Sequence, residues 1–180
     1  MTRIFLVGYM GAGKTTLGKV LARRMNLSYI DTDQFIENRY HKKVGDIFAS
    51  EGEKQFRNIE YRILREVSEI ENVVISTGGG LPCFNDNMAL MNRTGTTVYL
   101  DVPAEELAAR LNASKTIRPV LQSRSGEELI DFIRENLNKR KPFYEQAVIR
   151  FNAEPMYAKH DVEILAEKLE TLICNFKILI

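Results

Sequence analysis

The sequence has little cysteine, almost no net charge and no long apolar run, and each shortage excludes a class of protein. The two cysteines, Cys83 and Cys174, lie far apart and match no metal-binding spacing. A disulfide between them stays open, but two thiols in a reducing compartment are the interpretation we favour. The net charge of +1, from 25 basic and 24 acidic side chains, provides no electrostatic footprint for nucleic acid.

No stretch approaches the roughly 20 apolar residues that a membrane-spanning helix needs. The apolar run at residues 4–7 is too short for a signal peptide and meets Gly8 at once. We therefore expect a cytoplasmic protein without a membrane partner. The length of 180 residues, of which 44% are hydrophobic and 27% charged, indicates one ordered domain over residues 1–180.

Short apolar runs alternate with helical patterns along the chain. Five runs are interpreted as strands, at residues 4–7, 29–30, 73–75, 97–100 and 148–151. Apolar residues recur at helical spacing elsewhere, as at residues 15–25 and 162–173. This alternation predicts an α/β fold, in which helices cover both faces of a parallel sheet. The polar residues 112–126, which include Pro119, are interpreted as a mobile loop.

A glycine-rich turn joins the first strand to the first helix. Residues 8–15, Gly-Tyr-Met-Gly-Ala-Gly-Lys-Thr, fit the phosphate-binding pattern G-x-x-x-x-G-K-[ST] in full. Backbone N–H groups must converge on the phosphates there, so the residues must be small. Lys14 would bring a charge to the β- and γ-phosphates, and the Thr15 hydroxyl suits Mg²⁺. The residues predicted to bind ATP in this loop are Gly11, Ala12, Gly13, Lys14, Thr15 and Thr16.

Four further motifs suit an acceptor site. They are Asp-Thr-Asp at residues 31–33, Gly-Glu-Lys-Gln-Phe-Arg-Asn-Ile-Glu at 52–60, Gly-Gly-Gly at 78–80 and Arg-Lys-Pro-Phe-Tyr-Glu-Gln-Ala at 140–147. With these motifs the sequence resembles the shikimate kinases from about residue 4 to residue 147, although the last alanine comes one place early. The resemblance implies a five-stranded parallel sheet of order 2-3-1-4-5. It also implies transfer of the γ-phosphoryl group of ATP to the 3-hydroxyl of shikimate, in the synthesis of chorismate and the aromatic amino acids.

The resemblance gives roles to the charged residues of these motifs. In the family, the residue matching Asp31 holds Mg²⁺ through water, and the one matching Asp33 contacts substrate hydroxyls and accepts the proton of the attacking hydroxyl. Arg57 and Arg140 correspond to the arginines that bind the substrate carboxylate, a task that suits a guanidinium fork. Glu60 lies three residues beyond Arg57 on one helical face and would orient it.

Further roles fall on the glycines and on two more arginines. In the family, the glycine loop touches shikimate at the positions of Gly79 and Gly80. Arg118 lies in the loop that resembles the family's lid, at about residues 112–126, and would bring a positive charge to the transferring phosphoryl group. Arg110 matches the arginine that stacks on adenine. The residues predicted to be catalytic are therefore Lys14, Asp33 and Arg118.

Several of these motifs also have an ordinary structural interpretation. In the ordinary interpretation of residues 31–33, Asp33 or Thr32 only caps the next helix. Arg57 and Glu60 would form an exposed ion pair worth a few tenths of a kcal/mol. The three glycines would be a flexible turn. An adenine contact beyond Asn152, where the resemblance fades, cannot be placed from the sequence.

Two other functions stay open on the sequence alone. One is another small-molecule P-loop kinase, acting on gluconate or a nucleoside monophosphate, in which Arg57 and Arg140 hold a phosphate. The other is a regulatory module that binds a nucleotide and transfers nothing. We expect a monomer whose partners are ATP and shikimate, with Mg²⁺ as cofactor and without a nucleic-acid partner.

Overall fold

The computed structural model of the chain describes residues 2–114 and 125–178. Five strands form one parallel sheet in the order β2-β3-β1-β4-β5. They are β1 (Arg3–Val7), β2 (Ser28–Asp31), β3 (Val73–Ser76), β4 (Thr96–Asp101) and β5 (Ile149–Asn152). The predicted α/β fold and strand order are confirmed, and each strand lies within two residues of its predicted position.

Helices surround this sheet. In the described part of the chain they are α1 (Lys14–Arg24), α2 (Thr32–Tyr40), α3 (Val44–Val67), α4 (Asn87–Thr94), α5 (Ala104–Ala113), α6 (Gly126–Tyr144) and α7 (Lys159–Ile178). A 3₁₀ turn covers Leu81–Cys83. No helix among the described residues is long and apolar enough to cross a membrane.

The position of each strand explains its sequence. The central strand β1 is covered on both faces, and its apolar side chains from Ile4 to Val7 are fully buried. The edge strand β5 alternates, because Ile149 and Phe151 are buried whereas Arg150 is exposed. The sheet therefore places the strictly apolar run at its centre, and this is the run that leads into the phosphate-binding loop.

Two predicted boundaries differ from the observed ones, and one break is confirmed. Helix α5 continues through Ala113 and α6 begins at Gly126, so the predicted loop at 112–126 starts and ends inside helices. Its central part, with Arg118, lies outside the described residues. The break predicted near Gly52 is confirmed, since Gly52 has a φ of 79° inside α3.

Helix α1 packs tightly against the sheet at Gly18. A Cβ atom added to Gly18 would lie 2.8 Å from both the Ser76 hydroxyl oxygen and a ring carbon of Tyr29. The Ser76 hydroxyl also donates a 2.9 Å hydrogen bond to the carbonyl of Lys14. The start of α1 is thus fixed against β3. Since all strands are parallel, their carboxyl ends meet at one edge, where ligands of α/β proteins bind.

Candidate active site

The glycine-rich turn lies between β1 and α1, the strand–loop–helix context that a phosphate-binding loop requires. Gly13 caps α1 with a φ of 93°, a backbone conformation that favours glycine. The Lys14 ammonium donates to the carbonyls of Gly8, at 2.7 Å, and Tyr9, at 2.8 Å. The lysine is therefore folded back over its own loop, beside the helix N-terminus where an anion is stabilised.

Asp31 and Thr15 meet beside this loop. The Thr15 hydroxyl donates to Asp31 Oδ2 at 2.9 Å. Asp31 Oδ1 accepts from the N–H groups of Asp33 and Gln34, so the cap of α2 is Asp31. The alternative in which Asp33 or Thr32 is the cap is therefore wrong. One carboxylate thus ends β2, begins α2 and presents its second oxygen to the phosphate-binding loop.

The donor atoms at this position fit Mg²⁺. A hydroxyl and a carboxylate are hard oxygen ligands, and Mg²⁺ is usually bound by one or two such protein groups together with substrate phosphates and water. Within residues 2–114 and 125–178, no cluster of three or more His, Cys, Asp or Glu side chains is arranged to hold a metal.

The three glycines form a fixed loop after β3. The Gly78 N–H donates to the buried hydroxyl of Thr32 at 2.9 Å, and the Tyr144 hydroxyl donates to the Gly79 carbonyl at 2.6 Å. The backbone is thus held from α2 on one side and from α6 on the other. The interpretation of this segment as a flexible turn does not fit these contacts.

Each glycine touches a different predicted acceptor residue. A Cβ atom on Gly78 would lie 2.6 Å from Asp33 Oδ1, and one on Gly80 would lie 2.8 Å from Arg57 Nη1. A Cβ atom on Gly79 would lie 3.7 Å from Arg140 Nη1, 3.3 Å from the backbone nitrogen of Met10 and 3.5 Å from the Gly8 carbonyl. The structure therefore gathers Asp33, Arg57 and Arg140 around one loop that also touches the phosphate-binding loop.

Arg57 is the most constrained of these side chains. It donates from Nη1 to Glu60 at 2.6 Å and from Nη2 to Glu53 at 3.2 Å, and only 15% of its side chain is exposed. Its Nε–H is buried and has no hydrogen-bond partner in the described part of the chain. A buried donor without a partner is costly. Arg57 is therefore held by two carboxylates and carries one further buried donor whose hydrogen bond is unmade.

Arg140 reaches the same loop from α6. Its Cζ lies 5.3 Å from the ring centroid of Tyr9, which is almost fully buried in the phosphate-binding loop. The sequence analysis gave Tyr9 no role. Through this contact, a residue of the phosphate-binding loop helps to place a predicted acceptor arginine. The early alanine of the motif, Ala147, leaves this arrangement unaffected.

Glu60 lies beside Asp33 under the glycine loop and is 98% buried, with 2% of its side chain exposed. Burial raises the pKa of Glu60 to about 7, the Arg57 guanidinium opposes that shift, the Asp33 carboxylate adds to it, and Arg140 opposes it. The sequence analysis treated the Arg57–Glu60 pair as exposed in its ordinary interpretation. Here it is a buried pair, so breaking it is far more costly than breaking a surface pair.

The raised pKa of Glu60 predicts a pH dependence of stability. We expect the free energy of unfolding to fall as the pH rises from about 4.5 to about 7, because the folded protein keeps a proton on Glu60 that the unfolded chain releases. Each unit of this pKa difference corresponds to about 1.4 kcal/mol. Glu60→Gln should flatten the slope, as measured by chemical denaturation across this pH window.

Glu53→Gln is the control for that measurement. Glu53 pairs with the same arginine, but 56% of its side chain is exposed. Its removal should leave the slope close to that of the wild type. Equal slopes for the wild type and Glu60→Gln would contradict the prediction.

A cavity of about 930 Å³ runs from the acceptor residues across the phosphate-binding loop. Asp33 and Gly79 line one end, and Arg110 and Met156 line the other. Thr15 and Thr16 also line it. The cavity is large enough for a nucleotide and places its two ends on opposite sides of Lys14.

Arg110 is fixed at the far end of the cavity. It donates from Nε to Glu106 at 2.7 Å and from Nη2 to the Ala153 carbonyl at 2.9 Å. The Met156 sulfur would lie 2.6 Å from a Cβ atom on Gly13, so Met156 covers the loop next to Arg110. The sequence analysis missed Met156. Its position just after β5, at the ligand-binding edge of the sheet, was the feature of the sequence that could have indicated its place at the site.

The cysteines do not pair. Both are free thiols, Cys83 half-buried and Cys174 exposed, which excludes the disulfide that the sequence left open. Burial raises the pKa of Cys83 to about 11, although Arg140 and Arg57 oppose that shift. Cys83 therefore stays a protonated thiol at neutral pH, which does not suit a redox-sensitive residue.

Comparisons with known proteins agree with this geometry. The family model described as shikimate kinase matches residues 10–172. The shikimate kinase of Parabacteroides distasonis is 58% identical over 96% of this chain and the whole of its own length. The crystal structure of the shikimate kinase from Bacteroides thetaiotaomicron is 53% identical, covers 96% of this chain and 98% of its own, and superposes with a TM-score of 0.93.

Two further solved structures are less similar to this chain. A shikimate kinase from Acinetobacter baumannii, solved in complex with shikimate, is 34% identical, covers 98% of this chain and 95% of its own, and has a TM-score of 0.86. A gluconokinase from Sinorhizobium meliloti is 15% identical, covers 96% of this chain and 95% of its own, and has a TM-score of 0.60. The similarity to the gluconokinase shows a shared fold and nothing further.

Proposed function

The chain belongs to the shikimate kinase family, and from that premise we propose that it transfers the γ-phosphoryl group of ATP to the 3-hydroxyl of shikimate through the site described above. As a member of the family it is an ATP-dependent kinase, a transferase. One observation carries the assignment of the acceptor site. The side chains of Asp33, Arg57 and Arg140 meet around a single glycine loop that also contacts the phosphate-binding loop.

The donor half of the site binds the triphosphate. The backbone N–H groups of residues 11–15 and the N-terminus of α1 favour the β- and γ-phosphates. Lys14 leaves the carbonyls of Gly8 and Tyr9 and places its charge on these phosphates. Arg110 and Met156 enclose the base at the other end of the cavity. Arg118 completes the donor half in this proposal by adding a second positive charge.

Mg²⁺ is held in this proposal by the Thr15 hydroxyl and, through water, by Asp31. When bound, the ion neutralises charge on the β- and γ-phosphates. Asp31 is suited to this position because its other oxygen caps α2, which fixes the direction of the carboxylate. The chain thus supplies few ligands and orients them firmly.

The acceptor half binds an acidic polyol. Arg57 and Arg140 hold the carboxylate, and the N–H groups of Gly79 and Gly80 contact the ligand. Asp33 accepts a hydrogen bond from the attacking hydroxyl and takes its proton as the new O–P bond forms, while the bond between the γ-phosphorus and the β–γ bridging oxygen breaks and ADP leaves. A carboxylate of ordinary basicity is sufficient, because phosphoryl transfer depends more on position than on a strong base.

A coupled assay of ADP release tests the proposed function. Shikimate, gluconate and AMP are compared as acceptors at equal concentration, with ATP and Mg²⁺ and then with ATP and EDTA. Of the three acceptors, we expect only shikimate to be phosphorylated, and only when Mg²⁺ is present. Faster turnover of gluconate or AMP would favour the other small-molecule kinases. Absence of turnover with every acceptor would favour a regulatory nucleotide-binding module.

Arg57→Ala tests the acceptor half directly. We expect the KM for shikimate to rise by about 10- to 150-fold, since a charge-assisted contact is worth roughly 1.5–3 kcal/mol and each 1.4 kcal/mol corresponds to a factor of ten. The KM for ATP should change little, because Arg57 lies among acceptor residues and not along the ATP cavity. Steady-state kinetics with each substrate varied in turn measures both values. Equal increases in the two constants would show that Arg57 is not at the acceptor.

A further inference from the structure

Arg57 packs over an aromatic ring that none of the motifs includes. Its Cζ is 4.1 Å from the ring centroid of Phe84, a shorter distance than the 5.3 Å between Arg140 and Tyr9. The ring is half-buried. At this distance the guanidinium is within reach of the attraction between a cation and a ring face.

The backbone that carries Phe84 is rigid. The chain leaves the glycine loop through the 3₁₀ turn Leu81–Cys83, in which the N–H groups of Leu81 and Cys83 bond back to the carbonyls of Gly78 and Gly80. Pro82 restricts the turn further. The buried amide of Asn87 donates to the Leu81 carbonyl at 2.7 Å. The ring is therefore held at a fixed distance from the glycine loop.

The other contacts of the Arg57 guanidinium also restrict its movement. A Cβ atom on Gly80 would lie within 3.2 Å of Nη1, Nη2 and Cζ, so the group also touches the loop backbone. Glu60 and Glu53 hold its two terminal nitrogens. These two carboxylates restrict the terminal nitrogens, and the Phe84 ring adds an apolar contact at 4.1 Å from Cζ.

We propose that Phe84 is a positioning residue for the phosphoryl acceptor, because its ring packs on the Arg57 guanidinium and helps to hold that group where it binds the carboxylate of the acceptor. This inference rests on the proposed function of Arg57. Phe84 touches the arginine and acts through it, so its contribution should appear in acceptor binding. The chemical step and the binding of ATP depend on groups that Phe84 does not hold.

Phe84→Leu tests the proposal, since leucine keeps an apolar side chain without a ring face. We expect the KM for shikimate to rise about 5- to 30-fold, which converts to about 1–2 kcal/mol at 1.4 kcal/mol per tenfold and matches a desolvated cation–ring contact. The kcat and the KM for ATP should stay within about twofold. Phe84→Tyr, which keeps the ring, should restore the wild-type KM for shikimate.

Phe176→Leu on α7 is the matched control, because this phenylalanine is also half-buried and lies on a helix that carries none of the predicted site residues, so both constants should stay unchanged. A double-mutant cycle with Arg57→Ala completes the design. If Phe84 acts through Arg57, Phe84→Leu should add little to the effect of Arg57→Ala. Three results would overturn the inference. The first is an additive effect of the two substitutions on the KM for shikimate, and the second is an unchanged KM for shikimate in Phe84→Leu. The third is an equal increase in the KM values for shikimate and ATP that Phe84→Tyr does not rescue. An unchanged KM in Arg57→Ala itself would instead overturn the proposed function.

Discussion

Replacement of Lys14 by methionine is expected to lower kcat by about a thousandfold or more, the scale on which lost stabilisation of transition-state charge is measured. Methionine keeps the unbranched shape but lacks the ammonium that faces the terminal phosphates. In the structure this ammonium bonds to two carbonyls of its own loop. In the proposed function it moves from those carbonyls to the phosphates when the nucleotide binds.

Steady-state kinetics and a thermal melt together check this expectation. The variant should remain folded, because Lys14 contributes its charge at the loop surface and is not part of the buried core. Lys168→Met on α7 is the control, since it makes the same change at an exposed position away from the site. Activity of Lys14→Met near the wild-type value would remove Lys14 from the mechanism.

Asp33→Asn should lower kcat by about a hundred- to ten-thousandfold, the usual contribution of a positioned general base. Asparagine is nearly the same size and retains a hydrogen-bond acceptor, so shikimate should still bind. It cannot take the proton of the attacking hydroxyl. The contact of Asp33 with Gly78 leaves room for a planar group of this size and fixes it beside the loop.

The effects of Asp33→Asn on kcat and on the KM for shikimate, measured separately, distinguish proton transfer from substrate binding alone. A residue that only binds the hydroxyls would raise the KM for shikimate and leave kcat nearly unchanged. Asp46→Asn, at an exposed position in the first turn of α3, is the matched control and should behave as wild type. A kcat for Asp33→Asn within a few-fold of wild type would contradict the proposed proton transfer.

The sequence predicted the fold well because its signals are local. The apolar run of β1, the glycines of the phosphate-binding loop and the helical spacing of α1 are each complete within a few residues. The carboxyl ends of parallel strands share one edge, so the motifs that follow β1, β2 and β3 were bound to meet. That rule covers Asp33, which follows β2, whereas Arg57 and Arg140 lie on α3 and α6, so their approach to the same loop was predicted from the resemblance.

Other features were not predictable because they depend on which side chains face each other once the chain has folded. The contact of Arg57 with Phe84 joins residues from α3 and from the turn after β3. The choice of Asp31 as helix cap depends on which of three neighbouring polar side chains faces the first turn of α2. The burial of Glu60 depends on the loop that closes over it. No local pattern encodes these arrangements.

The glycine segment after β3 has a consequence for redesign. It touches the phosphate-binding loop through Gly79 and the side chains of Asp33, Arg57 and Arg140 through its three glycines. Substitution of these glycines would disturb the binding of both substrates at once, so libraries that seek a new acceptor should leave them intact. The productive positions are Arg57 and Phe84, because Arg140 also packs on Tyr9 of the phosphate-binding loop.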